Sequence, residues 1–131
     1  MATWKCRNCD FKDIPLDKEC PVCLRKFMPP GIILQSEKTK KTITLHISHT
    51  LGRDGLKELD PEEYVVLARC QFRISKGELS WTIEDIANAP GFPTFLDGRA
   101  IEGVIDVKNG NMISIGREHK MPMKIQFLIE E

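Results

Sequence analysis

Four cysteines near the N-terminus have the spacing of a metal site. Cys6, Cys9, Cys20 and Cys23 form the pattern C-x2-C-x10-C-x2-C in a chain of 131 residues. Two residues between the cysteines of a pair place both sulfurs on one tight turn, and two such turns make a tetrahedral set of thiolates. Zinc accepts this geometry without strain. The spacing therefore predicts a zinc site with a closed coordination shell, in which the metal is structural rather than catalytic.

The cysteine-bearing segment, residues 1–28, is too short to bury enough apolar surface to fold without help. Metal binding would supply its folding free energy, on the order of 10 kcal/mol. The paired cysteines resemble the knuckles of zinc ribbons and of rubredoxin-type iron proteins. Those iron proteins usually carry glycine after each pair, whereas Asp10 and Leu24 follow here. We therefore expect a zinc ribbon, with bound iron and a redox dithiol as the alternatives.

The composition favours a soluble globular protein, and its charge gives no general reason to expect nucleic-acid or membrane binding. The 19 basic and 19 acidic side chains cancel. No stretch near the N-terminus has the length of a signal peptide, and no segment has the length of a membrane span, so we expect a cytoplasmic location. Nucleic-acid binding through the ribbon stays an alternative. It would use the basic residues there: Lys5, Arg7, Lys12, Arg25 and Lys26.

The chain changes character after residues 29–31, a Pro-Pro-Gly sequence that we interpret as a linker. From residue 32 onward, apolar residues recur with a period of two, as in strands with one buried face. Such runs cover residues 43–47, 66–74, 79–83 and 123–129. Cys70 is in phase with Phe72 and Ile74, so it is expected in the core.

Glycine-containing turns separate these runs. The turns at residues 75–78, 96–99 and 108–111 predict hairpins, and residues 36–41 predict a longer one. No segment has a convincing helical period. Residues 32–131 are therefore predicted to form an antiparallel β-sandwich of about ten short strands, which makes the whole chain mainly β.

Residues 31–131 resemble the forkhead-associated (FHA) domain, a β-sandwich that binds phosphothreonine. Gly52-Arg53 fits the Gly-Arg motif of that family. The stretch "LARCQFRI" (67–74) lies where the family has Ser-x-x-His, which puts Ala68 at the serine and Gln71 at the structural histidine. In "DIANAPGFPTFLDG" (85–98), Thr94 and Gly98 fit the family's Asn-Gly-Thr loop and the hairpin after it. The resemblance implies an FHA-type sandwich.

The same resemblance implies a phosphopeptide site at Arg53, Arg69 and Asn88. Arg53 would contact the phosphate, and Asn88 is the nearest match to the asparagine that grips the peptide. Ala68 lacks the hydroxyl of the family's serine, and losing one hydrogen bond to a charged group costs on the order of 1.5–3 kcal/mol. We expect Arg69, the next residue in the sequence, to compensate.

Two alternatives concern these loops. In the first, Ser48 or Thr50 would replace Arg69 as the compensating donor. In the second, Arg53 would bind no phosphate and would only brace its own loop, through a carboxylate such as Asp54 or Glu58.

No cluster of residues indicates an enzyme. The histidines at positions 46, 49 and 119 are scattered, and no serine or cysteine lies in a nucleophile elbow. Asp60, Glu62 and Glu63 are typical of a solvated turn. We therefore expect a non-catalytic interaction module that binds a phosphothreonine-containing protein. The alternative is a scaffold of the same fold that binds an unphosphorylated protein within an assembly.

Overall fold

The computed structural model describes residues 3–6, 8–15, 18–78, 80–87 and 92–128. Within these residues the strands are β1 (Thr3–Trp4), β2 (Ile14–Pro15), β3 (Ile32–Ser36), β4 (Thr42–Leu45), β5 (His49–Leu51), β6 (Phe72–Lys76), β7 (Trp81–Asp85), β8 (Thr94–Leu96), β9 (Arg99–Ala100), β10 (Val104–Asp106), β11 (Met112–Ile115) and β12 (Lys120–Phe127). A short helix, α1 (Arg53–Leu56), and one 3₁₀ turn (Tyr64–Val66) lie between β5 and β6. The prediction of a mainly β chain is confirmed. No helix in the described part of the chain is long and apolar enough to cross a membrane.

Strands β3 to β12 form two antiparallel sheets around one core. The larger sheet has the order β4-β3-β12-β11-β8-β9, and the smaller has the order β10-β7-β6-β5. Ile32 and Ile125 of the larger sheet and Phe72 and Trp81 of the smaller one belong to the same buried cluster. The alternating apolar residues of the sequence are what fill this space, because every second side chain of a strand faces inward. The predicted β-sandwich is confirmed.

Three of the four predicted hairpins are confirmed. β3 pairs with β4 across residues 36–41, and β8 pairs with β9 across Asp97-Gly98. β6, which ends at Lys76, pairs with β7, which begins at Trp81. Asp97 (φ +51°) and Gly98 (φ +81°) are both left-handed, as a two-residue hairpin turn requires.

The hairpin predicted at residues 108–111 is wrong. β10 precedes this turn in the smaller sheet and β11 follows it in the larger sheet, so the turn crosses between the sheets. Asn111 holds it: its side-chain oxygen accepts the Lys108 N–H, and its amide donates to Asp97. An Asn-Gly pair reverses the chain, but it does not decide which strand the following residues join.

The prediction that Cys70 lies in the core is also wrong. Cys70 is exposed, whereas Gln71 directly after it and Leu67 three residues before it are buried. β6 begins only at Phe72, and the Gln71 N–H donates to Leu51 at the end of β5. The chain bends at residues 69 and 70, so the period of two does not extend back from the strand.

The connections lie at two opposite ends of the sandwich. At the first, the ribbon end, Ile32 of β3 pairs with Phe127 of β12. The buried Trp81 side chain donates there to the Pro29 carbonyl at 2.9 Å, so the chain before β3 is fastened to the sandwich. The second, the loop end, comprises residues 52–71, 92–93 and 116–119, which follow β5 or precede β6, β8 and β12. The ribbon therefore joins the sandwich away from the loops that match the FHA motifs.

Candidate functional site

The four cysteine sulfurs of the ribbon lie together. All four Sγ atoms are within 4.8 Å of one another. The Sγ atoms of Cys6 and Cys23 are 3.4 Å apart, and those of Cys9 and Cys20 are 3.1 Å apart. Four sulfurs bound to zinc at about 2.3 Å would stand about 3.8 Å from one another. The predicted donors thus converge at the scale of a four-thiolate metal site.

Two matched turns carry these sulfurs. The Asp10 N–H donates to the Cys6 carbonyl and the Leu24 N–H donates to the Cys20 carbonyl, both at 2.8 Å. Asp10 (φ +58°) and Leu24 (φ +63°) are left-handed, which turns the chain back after each cysteine pair. This conformation costs a residue other than glycine about 1–2 kcal/mol. The ribbon therefore needs a strong interaction, such as metal ligation, to hold both turns.

Hydrogen bonds within the cluster separate the pKa values of its thiols. The bond between Cys9 and Cys20 raises the pKa of Cys9 to about 12. Burial acts to raise the pKa values of Cys6 and Cys20, but backbone N–H donors from the turns and hydrogen bonds from neighbouring thiols together outweigh it, and both values are lowered. A cation is required before all four sulfurs ionise together. These donors fit a thiophilic divalent metal such as zinc.

Aromatic rings connect the cysteine cluster with the sandwich. The Trp4 indole N–H donates to the Pro15 carbonyl at 3.2 Å, which joins β1 to β2. The Trp4 and Phe27 ring centroids are 5.8 Å apart, and Phe27 lies at the same distance from Phe127 in β12. The ribbon thus contacts the sandwich through tilted aromatic rings at the ribbon end.

The described basic residues of the nucleic-acid alternative are all exposed, but one of them already has an acidic partner. Lys5 is 3.5 Å from Asp10 in an ion pair. Lys12, Arg25 and Lys26 are exposed, and Arg7 lies outside the described residues.

At the loop end, Gly52 and Arg53 pack directly against the segment that contains Ala68 and Arg69. A Cβ atom at Gly52 would lie 2.0 Å from the Arg69 carbonyl oxygen, so the two backbones touch. The Arg53 N–H donates to the Ala68 carbonyl at 3.0 Å. The two motifs that carry the FHA resemblance are therefore in contact.

The Arg53 side chain is partly anchored. Its Nε donates to the Leu67 carbonyl at 3.2 Å, so the brace comes from a backbone carbonyl and not from Asp54 or Glu58. The side chain is exposed, and among the described residues its two terminal nitrogens have no hydrogen-bond partner. These donors suit a bidentate bond to an anion.

Gln71 joins three segments of the loop end. It is fully buried. Its side-chain oxygen accepts the Ala68 N–H at 2.8 Å, and its amide donates to the Phe92 carbonyl at 2.7 Å and to the Thr94 hydroxyl at 3.0 Å. An amide serves this position because it is donor and acceptor at once. The residue that stands for the family's histidine thus fixes the spacing between the loops.

Asp85, which the sequence analysis did not select, completes this network. Its carboxylate accepts the Thr94 hydroxyl at 3.0 Å and the Ala87 N–H at 3.2 Å. Asp85 is the last residue of β7, and an aspartate that precedes a loop commonly accepts the N–H two residues on. That local pattern is the signal available in the sequence.

The remaining site candidates lie in different places. Arg69 is exposed beside the Gly52 contact, and Asn88 lies outside the described residues. The Ser48 hydroxyl accepts the Lys76 N–H at 2.8 Å, at the end of β5 away from Arg53. The Thr50 hydroxyl accepts a bond from Arg73 at 3.4 Å.

The acidic segment predicted to be a solvated turn is partly buried. Asp60 is 1% exposed, and its carboxylate accepts the N–H groups of Glu62 and Glu63. Glu63 pairs with Lys38 and accepts the Met121 N–H of β12. The hydrogen bond with Lys38 lowers the pKa of Glu63. Asp60 thus holds the turn within its own segment, while Glu63 fastens that segment to the sandwich.

Comparison with solved structures identifies the fold. One similar chain comes from an analysis of phosphothreonine-dependent FHA domain interactions (TM-score 0.60, 14% identity, 76% of this chain and 99% of that one). Another is the FHA domain of an Arabidopsis thaliana hypothetical protein (TM-score 0.60, 14% identity, 80% and 92%). A third is FHA-1 of Mycobacterium tuberculosis Rv1747 (TM-score 0.57, 17% identity, 76% and 97%).

The sandwich has the FHA fold. No family model matches the sequence, and no curated protein matches it either. At 14–17% identity the similarity establishes the FHA fold and leaves the ligand to be argued from the residues.

Proposed function

We propose that this chain is a non-catalytic interaction module whose loop end binds a phosphothreonine-containing segment of a partner protein. The contact between Gly52-Arg53 and Ala68-Arg69 carries the proposal. The backbones of these two segments touch, and each segment carries one exposed arginine, so the two arginines lie on neighbouring loops. A phosphate group carries close to two negative charges and three acceptor oxygens near neutral pH. Two guanidinium groups on neighbouring loops complement that ligand.

Each site residue has a distinct role in this proposal. Arg53 supplies a charge-assisted pair from its terminal nitrogens while its Nε stays on Leu67. Arg69 replaces the hydroxyl donor that Ala68 lacks, and Asn88 grips the peptide main chain. The similar chain from the analysis of phosphothreonine-dependent interactions supports this choice of ligand.

A second candidate function is a scaffold that binds an unphosphorylated protein. One observation favours it: the Ala68 N–H already donates to Gln71, so this residue offers a phosphate neither a hydroxyl nor a free N–H. A loop end of this kind would bind its partner through shape and apolar contact. The two candidates make opposite predictions for an unphosphorylated ligand.

We further propose that residues 1–28 form a structural zinc ribbon, joined through residues 29–31 to the sandwich over residues 32–131, in a cytoplasmic protein. Bound zinc would cross-link the two cysteine turns and fix their conformation. Metal analysis of protein purified without added zinc tests this, with one zinc per chain expected. Bound iron would contradict the assignment of the metal.

The phosphothreonine proposal is tested by NMR titration of the zinc-loaded protein with a phosphothreonine peptide library and with its unphosphorylated counterpart. We expect shifts around Arg53 and Arg69 with the phosphorylated library alone. Equal shifts with both libraries would support the scaffold instead.

Substitutions separate phosphate binding from bracing. We expect Arg53→Ala and Arg69→Ala each to weaken binding of a phosphorylated peptide at least tenfold, since a hydrogen bond between charged groups is worth about 1.5–3 kcal/mol. Arg69→Ala leaves the bond from Arg53 to Leu67 in place, so its effect cannot come from a loosened loop. Arg73→Ala, which removes an exposed arginine paired with Glu84, is the matched control and should bind normally.

A further inference from the structure

Strand β10 (Val104–Asp106) is an exposed edge of the smaller sheet. It is the first strand in the order β10-β7-β6-β5, so its outer edge has no partner strand among the described residues. All of its residues are exposed, and the apolar side chains of Val104 and Ile105 are 60% and 36% exposed. Edge strands are commonly protected by a proline, a bulge or an inward-pointing charge. β10 is short, but it pairs with β7 without a bulge and has an apolar side chain on each face.

The backbone of β10 has hydrogen-bonding groups on its outer edge. The Val107 N–H donates to the Trp81 carbonyl of β7. Because the bonded residues alternate along an antiparallel pair, the backbone groups of Ile105 also face β7, and those of Val104 and Asp106 face outward. Each of these two residues therefore offers one donor and one acceptor to a further strand.

We infer that β10 pairs with the β10 of a second copy of this chain, antiparallel and about a two-fold axis at Ile105. In this register Val104 of each copy lies opposite Asp106 of the other, and the outward backbone groups of both residues are bonded. The two smaller sheets then form one continuous sheet. Ile105 lies opposite the buried Ile83 within its own chain, so the two Ile105 side chains meet at the axis on the apolar side of this sheet.

The charges on either side of β10 favour both a second copy and this register. Glu102 and Lys108 are exposed, lie three residues before and after Ile105, and form no ion pair within the described part of the chain. Pairing centred on Ile105 brings the glutamate of each copy to the lysine of the other. Pairing centred on Val104 would place Glu102 opposite Asp106, and pairing centred on Asp106 would place two aspartates opposite each other. Like charges directly opposite destabilise a sheet, so the strand is complementary to itself in one register.

The contact between the two copies is small. Gly103 is left-handed (φ +67°) and turns the chain just before β10, so the ladder is limited to Val104–Asp106. The Asp106 carboxylate accepts the Ser80 hydroxyl at 3.0 Å within its own chain, so it needs no donor from the second copy. An interface of this size gives a weak dimer that forms only at high protein concentration.

The dependence of association on concentration tests the inference. Zinc-loaded protein is studied by sedimentation velocity from about 10 µM to about 1 mM, with a reducing agent so that the exposed Cys70 cannot link two copies. We expect a monomer at the low end of this range and a dimer at the high end. Amide exchange measured by NMR should slow over the same range at Val104 and Asp106, whose N–H groups become paired. The Ile105 amide, which already faces β7, is the internal control and should change little.

Charge variants test the register. Glu102→Lys places a lysine next to Lys108 of the second copy at both ends of the ladder, so we expect about tenfold weaker dimerisation. The double variant Glu102→Lys with Lys108→Glu exchanges the two charges and should restore the wild-type affinity. Glu58→Lys, at an exposed residue of the loop end, is the matched control and should dimerise normally. All of these residues are exposed, so the variants should fold, which an NMR fingerprint of each one checks.

The outcomes decide between this interface and its alternatives. A protein that stays monomeric up to about 1 mM overturns the inference. A dimer that forms equally well with Glu102→Lys, or without slower exchange at Val104 and Asp106, also overturns it, because its interface then lies elsewhere. If the double variant dimerises no better than Glu102→Lys, the register centred on Ile105 is wrong.

Discussion

Glu63 joins three parts of the sandwich through one carboxylate. It lies directly before the 3₁₀ turn, pairs with Lys38 in the turn between β3 and β4, and accepts the Met121 N–H of β12. Met121 is left-handed (φ +51°), so its N–H is turned out of the regular ladder and needs a side-chain acceptor. The carboxylate is stabilised in its charged form by these donors.

The folded protein should therefore lose stability in acid through Glu63. The Lys38 hydrogen bond holds the pKa of Glu63 below its ordinary value of 4.5. A lowered pKa contributes stability that is fully present above that value and is lost as the pH falls through the lowered pKa. We expect Glu63→Gln to reduce the free energy of unfolding by about 1–2 kcal/mol near pH 7, measured by urea denaturation.

The difference between Glu63→Gln and the wild type should shrink below pH 4.5. Glu62→Gln, at the exposed neighbouring residue, provides the control and should match the wild type at every pH. A constant difference across the acidic range would show that the charge of Glu63 is not what stabilises the fold.

Secondary-structure elements at the loop end are spaced by buried polar bonds. The segment before β6 and the segment before β8 meet through Gln71, whose amide reaches Ala68, Phe92 and Thr94. Apolar packing alone would leave these backbone groups unpaired inside the protein, at a cost of about 1–3 kcal/mol for each. The network therefore fixes both the stability and the spacing of the loops.

Gln71→Ala should lower the free energy of unfolding by about 2–4 kcal/mol, because it strands the Ala68 N–H and the Phe92 carbonyl. The Thr94 hydroxyl loses one bond but keeps its bond to Asp85. Gln126→Ala is the control, since it removes a half-buried bond to the Gln35 side chain at 3.3 Å and should cost less than about 1 kcal/mol. Both variants are measured by urea denaturation. If they lose similar amounts of unfolding free energy, the Gln71 network stabilises the fold no more than a single half-buried side-chain bond does.

Sequence patterns located the strands and the cluster of four cysteines, but not the ends of the strands. Cysteine spacing was enough to predict that the four sulfurs lie together, because all four lie within one short segment of the chain. The alternation of apolar and polar residues identified β7 and β12. It also placed Cys70 in the core, which is wrong, because alternation does not indicate at which residue β6 begins to pair with β5. The sheet that follows the turn at 108–111 depends on long-range pairing, which a local turn signal does not contain.

At the scale of the whole molecule, the ribbon and the sandwich have separate cores. Cys6, Ile14 and Cys20 form a cluster of their own, apart from the sandwich cluster. The contact between the tilted rings of Phe27 and Phe127 joins the two at the ribbon end. The loop end lies beyond the far ends of the strands, so we expect the state of the metal to have little effect on it.

Removal of the metal with a chelator should unfold the ribbon and leave the sandwich folded. The chain has two tryptophans, Trp4 in the ribbon and Trp81 in the sandwich core. The Trp4 indole N–H donates to Pro15 in the folded ribbon, so we expect its NMR chemical shift to move to the value of an unfolded chain when the metal is removed. The chemical shift of the Trp81 indole N–H should not change. Re-addition of zinc should restore the chemical shift of Trp4.

Phosphopeptide affinity should change by less than about twofold on the same treatment, since ribbon and arginines lie at opposite ends. Loss of the Trp81 resonance, or of peptide binding, would contradict the independence of the two parts.

The close contact at Gly52 restricts which residue can occupy this position. Its φ of −164° is extended backbone that any residue adopts, so glycine is required here by space and not by conformation. The nearest atoms are the Arg69 and Ala68 carbonyl groups, which cannot rotate away as a side chain would. Any substitution must push the two arginine-bearing loops apart. We therefore expect the charged residues of this surface to vary with the ligand, while the glycine is retained because the packing of the two loops requires it.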